Sequence, residues 1–283
     1  MDFKKLSDLS YKKLNEELRD DLDGENIKND ITSEILITKR TMLDCEISNR
    51  DPLILCGSLF VEDFFKKKFP LIKINRFFND GEKLKRNSKI FSIFGDSKKI
   101  LAVERTVLNF LQHLSSIATT TNFFILKMKS KNTKLLDTRK TTTGLRKLEK
   151  YATLIGGAKN HRMGLYDEIL IKDNHIKVLG NLEKVKKKLK INNVLDYKIE
   201  CETIQEVIKC IEMGAKYILL DNMQPSEIKK CIRLKKTKKI KFEISGNITV
   251  KNINKYSQLG VDYISTSQIT NCPNSVDIGL DII

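Results

Sequence analysis

The chain has no tryptophan, only four prolines and only three histidines. With 13 glycines as well, its composition excludes collagen-like and low-complexity classes. Uninterrupted apolar runs such as Leu53–Cys56, Phe123–Leu126 and Tyr217–Leu220 fall far short of the roughly 20 residues that a membrane-spanning helix needs. No membrane association is therefore expected. The opening stretch, MDFKKLSDLSYKKL, is polar and mixed in charge and lacks the apolar centre of a signal peptide. The six cysteines (Cys45, Cys56, Cys201, Cys210, Cys231 and Cys272) are widely spaced and form no C-x-x-C pair. This excludes a zinc ribbon and a disulfide framework, and reduced thiols point to a cytoplasmic location. Also absent are a Ser-His-Asp order, a phosphate-binding Walker loop and a His/Cys metal cluster.

What is present is a chain of 283 residues, 40% hydrophobic and 31% charged, which is enough for one large domain or two ordinary ones. Its net charge is +16, from 52 basic and 36 acidic residues. Only ten of the basic residues are arginine. The lysines gather in runs such as Lys184–Lys190 and Lys229–Lys241, which read as solvated helix faces. A nucleic-acid partner is not expected, because the basic runs carry no interleaved aromatic residues for base stacking. A basic cleft for a small anionic substrate accounts for the charge equally well.

The first hundred residues read as mixed α+β. Leu14–Leu22 suggests a short acidic helix, and Asn29–Thr32 a turn and helix start. Ile35–Ile37, Pro52–Cys56, Leu71–Ile74 and Lys89–Phe94 look like short strands separated by turn signals. A long amphipathic helix starts at Glu104, with Val107, Leu108, Leu111, Leu114, Ile117 and Ala118 on one face. From Lys134 onward strands and helices alternate. Strands are expected at Lys134–Thr138, Glu168–Lys172, Lys198–Cys201, Tyr217–Asp221, Lys241–Ser245 and Tyr263–Thr266. Helices are expected at Leu182–Leu189, Ile204–Met213, Ser226–Leu234 and Val250–Leu259. Such alternation implies βαβ units and a parallel sheet, more in the manner of a barrel than of an open sheet.

Polar residues cluster at the ends of those strands: Asp137-Thr138-Arg139-Lys140, Lys172-Asp173, Glu200, Asp221 and Ser245-Gly246. In α/β barrels the C-terminal strand ends carry the active site. Arg105, Arg139, Lys140, Arg162 and Lys172 take three of the ten arginines and suit a ligand with several negative charges. His161 sits beside Arg162 after Gly156-Gly157, as a donor to an anion or an acid/base group. Glu200 and Asp221 suit Mg²⁺ or sugar hydroxyls, or else balance the cations. Ser245-Gly246-Asn247 and Ser265-Thr266-Ser267 suit phosphate. His113 reads as structural, and His175 as ambiguous.

At these residues the sequence resembles the quinolinate phosphoribosyltransferase family (nicotinate-nucleotide pyrophosphorylase, carboxylating). The resemblance rests on LLDTRKTTTGLRKLEKYA at 135–152, GGAKNHRMGLYDEILIKDNHI at 156–176, Ile199–Glu202, LLDN at 219–222, Glu243–Asn247 and GVDYIS at 260–265. It implies an α/β fold with an N-terminal α/β sandwich domain over 1–115, on which the tail 271–283 packs back. An open α/β barrel of parallel strands follows over 116–270. The implied reaction is quinolinate plus phosphoribosyl pyrophosphate to nicotinate mononucleotide, CO₂ and pyrophosphate, in de novo NAD biosynthesis, with Mg²⁺ as cofactor. By the same resemblance Arg139, His161, Arg162 and Lys172 hold quinolinate and Lys140 lies near the phosphates. Glu200 and Asp221 serve the ribose and the metal, with Lys140, Glu200 and Asp221 the catalytic group. Ser245, Gly246, Asn247 and Ser267 line the 5′-phosphate site, and Arg105 reaches the quinolinate site from the neighbouring subunit. A homodimer is implied, or a hexamer of dimers, with shared active sites. A paralogue associated with molybdenum transport is the alternative within the same fold. The chain departs from the family at Thr143, in place of Pro, and at Ser267-Gln268, in place of Gly-Ala. A side chain at 267 either crowds the phosphate, if the backbone there needs positive φ, or offers it a hydroxyl.

Overall fold

The computed structural model describes residues 2–235 and 240–283, so part of the Lys229–Lys241 run lies outside the described residues. In chain order the elements begin with α1 (Phe3–Asp21), α2 (Ile31–Leu36), β1 (Met42–Asn49), β2 (Leu53–Ile54), α3 (Ser58–Lys68), β3 (Lys73–Arg76), β4 (Lys83–Leu84), β5 (Lys89–Asp96) and α4 (Ser97–Lys127). They continue with β6 (Lys134–Leu136), α5 (Arg146–Ile155), β7 (Leu170–Ile171), α6 (Asp173–Leu179), α7 (Leu182–Ile191), β8 (Lys198–Cys201), α8 (Ile204–Glu212), β9 (Tyr217–Asp221) and α9 (Pro225–Arg233). The last are β10 (Lys241–Ser245), α10 (Ile253–Ser257), β11 (Tyr263–Ser265), α11 (Gln268–Asn271) and β12 (Ile278–Ile282). The chain divides into one unit of 1–122, 147–157 and 273–283 and a second of 123–146 and 158–272.

In the first unit an antiparallel sheet runs β12-β1-β5-β3. Helix α1 starts well before Leu14, because Asp2 caps it by accepting from the Lys5 N–H and Leu6, Leu14 and Leu18 continue one buried stripe. Ile35 and Leu36 lie in α2 rather than in a strand: Asp30 caps this helix through the Ser33 N–H and so starts it ahead of the apolar run. Strand β12 lies antiparallel on β1, with Cys45 opposite Ile282 and Asn49 opposite Ile278. Helix α4 starts at Ser97, not Glu104. The expected boundary at 115/116 lies inside this helix, and the division falls seven residues later. Residues 147–157 also join the first unit rather than the barrel, and the side chains of α5 show why. Glu149 and Lys150 are fully buried, the Glu149 Oε1 lies 3.0 Å from the His113 Nε2, and the Tyr151 O–H donates to Asp80 at 2.8 Å.

The second unit is a six-stranded parallel sheet ordered β6-β11-β10-β9-β8-β7. The first strand lies beside the last, so the sheet curls as a barrel does. It stays open between β6 and β7, where the free side of β6 bridges only to Lys159 among the described residues. Ile199, Cys201, Ile218, Leu220, Phe242, Ile244 and Ile264 fill the core at every second position, while the intervening Glu200, Leu219 and Glu243 line the cavity at the strand ends. Strands β8, β9 and β10 match their expected bounds, whereas β7 keeps only Leu170 and Ile171 of the expected Glu168–Lys172. Among the described residues no helix is long and apolar enough to cross a membrane.

Asp80 ties the first unit together. Its carboxylate accepts from the backbone N–H groups of Gly57 and Ser58 ahead of α3, from the Ser58 hydroxyl and from Tyr151. At about 1 kcal/mol per bond, Asp80→Ala should cost roughly 3–4 kcal/mol, read as a lowered melting temperature. A shift within error of zero would remove Asp80 from the packing account.

Candidate active site

Parallel register brings the strand C-termini to one end of the second unit. Ser245 pairs with Asp221, and Glu200 with Leu219. Around these ends lies a cavity of about 470 Å³. Arg139 and Lys140 reach it from the segment after β6, Lys172 from the end of β7, and Glu200 and Asp221 from β8 and β9. Ser245, Gly246 and Asn247 come from the β10 turn, Ser267 from the β11 turn, and His161 and Arg162 from the loop before β7. Arg105 does not line it; this residue lies exposed on α4 in the first unit.

A buried aspartate sets the His161–Arg162 loop. Asp137 Oδ1 accepts from the His161 backbone N–H at 2.9 Å and Oδ2 from the Asn160 amide at 2.6 Å. Arg162 is nearly buried, and its Nη1 donates to the Glu168 carbonyl at 3.1 Å. Burial, and next the neighbouring Arg139, pull the Arg162 pKa down, though a guanidinium stays charged at neutral pH. The Arg139 Nε is buried and makes no hydrogen bond. Such donors, held in place without partners, are what a bidentate carboxylate or phosphate would satisfy.

Opposite stands the acidic pair. The Lys172 Nζ lies 3.4 Å from Glu200 Oε2, so this carboxylate already balances one cation of the cleft. Burial raises the Glu200 pKa; Lys172 opposes that, and Asp221 adds to it. A carboxyl held above its usual range beside a second one suits a divalent cation that relieves their repulsion. No group of three or more His, Cys, Asp or Glu side chains capable of holding a metal occurs among the described residues. Glu200 and Asp221 by themselves therefore form no closed metal cage among the described residues.

The turn after β10 needs glycine. Gly246 has φ 91°, and a Cβ there would sit 2.2 Å from Asn222 Oδ1. Asn222 and Asn247 are themselves left-handed, at φ 54° and 52°. They are joined by the Asn247 amide donating to Asn222 Oδ1 at 3.2 Å, while the Asn222 amide donates to Asp221 at 2.8 Å. Ser267, by contrast, has φ −86°, so a side chain there carries no backbone strain. It lines the cavity with Gln268, and the Thr270 hydroxyl ties this segment to the Lys140 carbonyl at 2.7 Å. Thr143 stands second in a turn closed by Leu145 N–H to the Thr142 carbonyl, followed by Gly144 at φ 82°. Proline suits that position and threonine is tolerated there, so the change falls in a turn rather than in the first turn of a helix. His175 caps α6, its Nδ1 accepting from the Lys172 backbone N–H at 2.9 Å.

Cavity-lining residues that sequence reasoning did not assign to the site include Asn222, Glu243 and Thr249. For Glu243 the sequence held no separate signal: Lys241, Glu243 and Ser245 alternate with Phe242 and Ile244 as in any strand with one apolar face.

An open parallel α/β barrel with cations and carboxylates around a cavity at its strand ends is an arrangement suited to anionic small molecules. The particular family follows from comparison with known proteins. Residues 117–281 match the family model of the quinolinate phosphoribosyl transferase C-terminal domain, and 30–115 that of the N-terminal domain. The chain belongs to the quinolinate phosphoribosyl transferase family. It is 38% identical over 263 residues to a probable nicotinate-nucleotide pyrophosphorylase [carboxylating] of Methanocaldococcus jannaschii, covering 90% of this chain and 92% of that one. It is 34% identical to quinolinate phosphoribosyltransferase [decarboxylating] 2, mitochondrial, of Nicotiana glauca, covering 89% and 77%. The crystal structure of nicotinate-nucleotide pyrophosphorylase from Ehrlichia chaffeensis superposes with a TM-score of 0.90 at 34% identity, over 100% of this chain and 99% of that one.

The added methyl of Gly246→Ala would collide with Asn222 and hold a left-handed backbone. It should therefore destabilise the second unit by roughly 2 kcal/mol. Thermal unfolding checks this, and an unchanged midpoint would mean that the turn relaxes freely.

Proposed function

We propose that this chain is a quinolinate phosphoribosyltransferase. It joins quinolinate to phosphoribosyl pyrophosphate and yields nicotinate mononucleotide, CO₂ and pyrophosphate, a step of de novo NAD biosynthesis. The observation that carries the reading is the set of Arg139, Lys140, Arg162 and Lys172 facing Glu200 and Asp221 in one cavity. A dicarboxylate and a polyphosphate supply the negative charge that these cations lack. The match of both family domains supports the same reading.

Arg139, Arg162 and Lys172 hold the two ring carboxylates and so aim the pyridine nitrogen at the anomeric carbon. Lys140, at the exposed edge of the cleft, meets the phosphates. Glu200 and Asp221 face the ribose, where their negative charge stabilises an oxocarbenium-like transition state. The turns holding Ser245, Gly246, Asn247 and Ser267 receive the 5′-phosphate with hydroxyl and backbone donors. Once the nitrogen is quaternary, the bond from C2 to its carboxylate breaks as CO₂ leaves. The electron pair stays on C2 beside the ring cation until C2 takes a proton. Glu200 and Asp221 would also hold Mg²⁺, together with substrate oxygens, and the ion would neutralise the departing pyrophosphate.

A homodimer, alone or as the unit of a hexamer, completes the reading, with Arg105 of the partner subunit closing each site. Exposure of Arg105 on α4 leaves it available for this. A cytoplasmic location is consistent with six free cysteines, five of them buried.

Purified protein with both substrates and Mg²⁺ should release CO₂ and nicotinate mononucleotide in equal amounts. EDTA should stop the reaction. Arg139→Ala should lower kcat/KM for quinolinate at least a hundredfold, about 3 kcal/mol. If wild-type protein forms no product, the reading fails; an unchanged kcat/KM would remove Arg139 from the substrate site.

A further inference from the structure

Glu243 stands at the centre of β10 with no exposed surface, yet it borders the cleft. Its Oε2 accepts the Tyr217 O–H at 2.6 Å. The Tyr217 ring comes from β9, stacks on Tyr263 at 5.5 Å, and carries the Lys198 ammonium 4.4 Å from its centroid. Glu243 Oε1 makes no hydrogen bond and lies 3.6 Å from the His161 Nε2. On the far side of the imidazole, Nδ1 accepts the Arg162 backbone N–H at 2.8 Å. An imidazole whose Nδ1 accepts must, when neutral, carry its hydrogen on Nε2, the atom that faces Glu243. An imidazolium would set Nδ1–H against the Arg162 N–H. Nδ1 is thus engaged by the Arg162 backbone, and Nε2 faces a buried carboxylate as well as the cleft that His161 lines.

We propose that Glu243 is a positioning residue for Arg162, acting through His161: its carboxylate holds the imidazole as the neutral Nε2–H form, and the imidazole holds the Arg162 backbone that presents the guanidinium. The proposal rests on the quinolinate reading for its substrate and assigns His161 to the support of the carboxylate clamp rather than to the clamp itself. The separation of 3.6 Å is slightly beyond hydrogen-bond reach, and such contacts tighten when a ligand settles the site.

The surroundings set the pH behaviour. Burial favours the neutral acid of Glu243, and so does Glu168 from the loop before β7; Ser265 on β11, Tyr217 on β9 and Lys198 on β8 favour the carboxylate. Burial prevails, so Glu243 takes up a proton above the usual carboxyl range as pH falls. A protonated Oε1 then meets the Nε2–H donor to donor, and the support is lost on the acid side. Removing the Tyr217 hydroxyl removes a donor to the carboxylate, so this loss should occur at higher pH.

Three measurements test this. Nitrogen–proton NMR of the ring signals in wild-type protein, with three histidines to resolve, should show His161 as the neutral Nε2–H form at neutral pH. Glu243→Gln should raise KM for quinolinate about tenfold and leave KM for phosphoribosyl pyrophosphate within about twofold, a loss of ground-state positioning. Tyr217→Phe, whose side chain lies outside the cleft lining, should move the acid limb of kcat/KM for quinolinate to higher pH. An Nδ1–H form or an imidazolium in the NMR spectrum would overturn the proposal. So would equal changes in both KM values, or an acid limb unmoved in Tyr217→Phe. Absence of turnover by wild-type protein would instead defeat the quinolinate reading, and the NMR result would still decide the Glu243–His161 pair.

Discussion

Positive charge is concentrated at the strand ends beyond what the chain itself neutralises, and the rest of the second unit is arranged around that excess. Lys172 has Glu200 within 3.4 Å, but Arg139 keeps a buried Nε without a partner and depresses the neighbouring Arg162. Holding like charges this close is costly unless rigid elements fix them and a ligand brings the missing anions. The apolar strands supply the rigidity. Ile199, Ile218, Phe242 and Ile264 are buried at 1% exposure or less, so the strand ends cannot drift apart to relieve the repulsion.

The same constraint explains the polar groups beneath the cleft. Asp137 costs desolvation in a buried position, yet it fixes the backbone that delivers His161 and Arg162. The left-handed series Asn222, Gly246 and Asn247 stores backbone strain where the chain turns away from the cavity, and their mutual hydrogen bonds over-determine it. Each device spends stability on the position of a donor, which is how a site specific for a rigid polyanion differs from a merely basic surface.

Much of this was legible in the residues themselves. The period-2 and 3.6 patterns mark β8, β9 and β10 and helices α7 to α9 within a residue or two, because each of these is a buried strand or an amphipathic helix flanked by turn residues. Segments whose character depends on distant partners were harder to read. Strand β1 was not read although Leu43, Cys45 and Ile47 alternate with Asp44, Glu46 and Ser48; it is paired on both sides, by β5 and by β12, the latter more than 200 residues away in sequence. Ile35 and Leu36 look like a strand but finish a helix that Asp30 starts. Helix α5 lies between barrel strands in sequence and joins the other unit in space, where buried Glu149 meets His113 and half-buried Tyr151 donates to Asp80.

Residue order by itself determined the alternation of strands and helices, and with it the parallel sheet and the gathering of Arg139, Lys140, Lys172, Glu200, Asp221 and Ser245 at one edge, since side-chain periodicity and strand direction are local properties. Only the tertiary structure decided that the sheet stays open between β6 and β7, that Ser267 has an ordinary backbone, and that His161 stands with Nδ1 on the Arg162 N–H and Nε2 3.6 Å from Glu243. Those outcomes depend on distances between residues remote in sequence, set by how the strands curl and pack, and no local pattern encodes them.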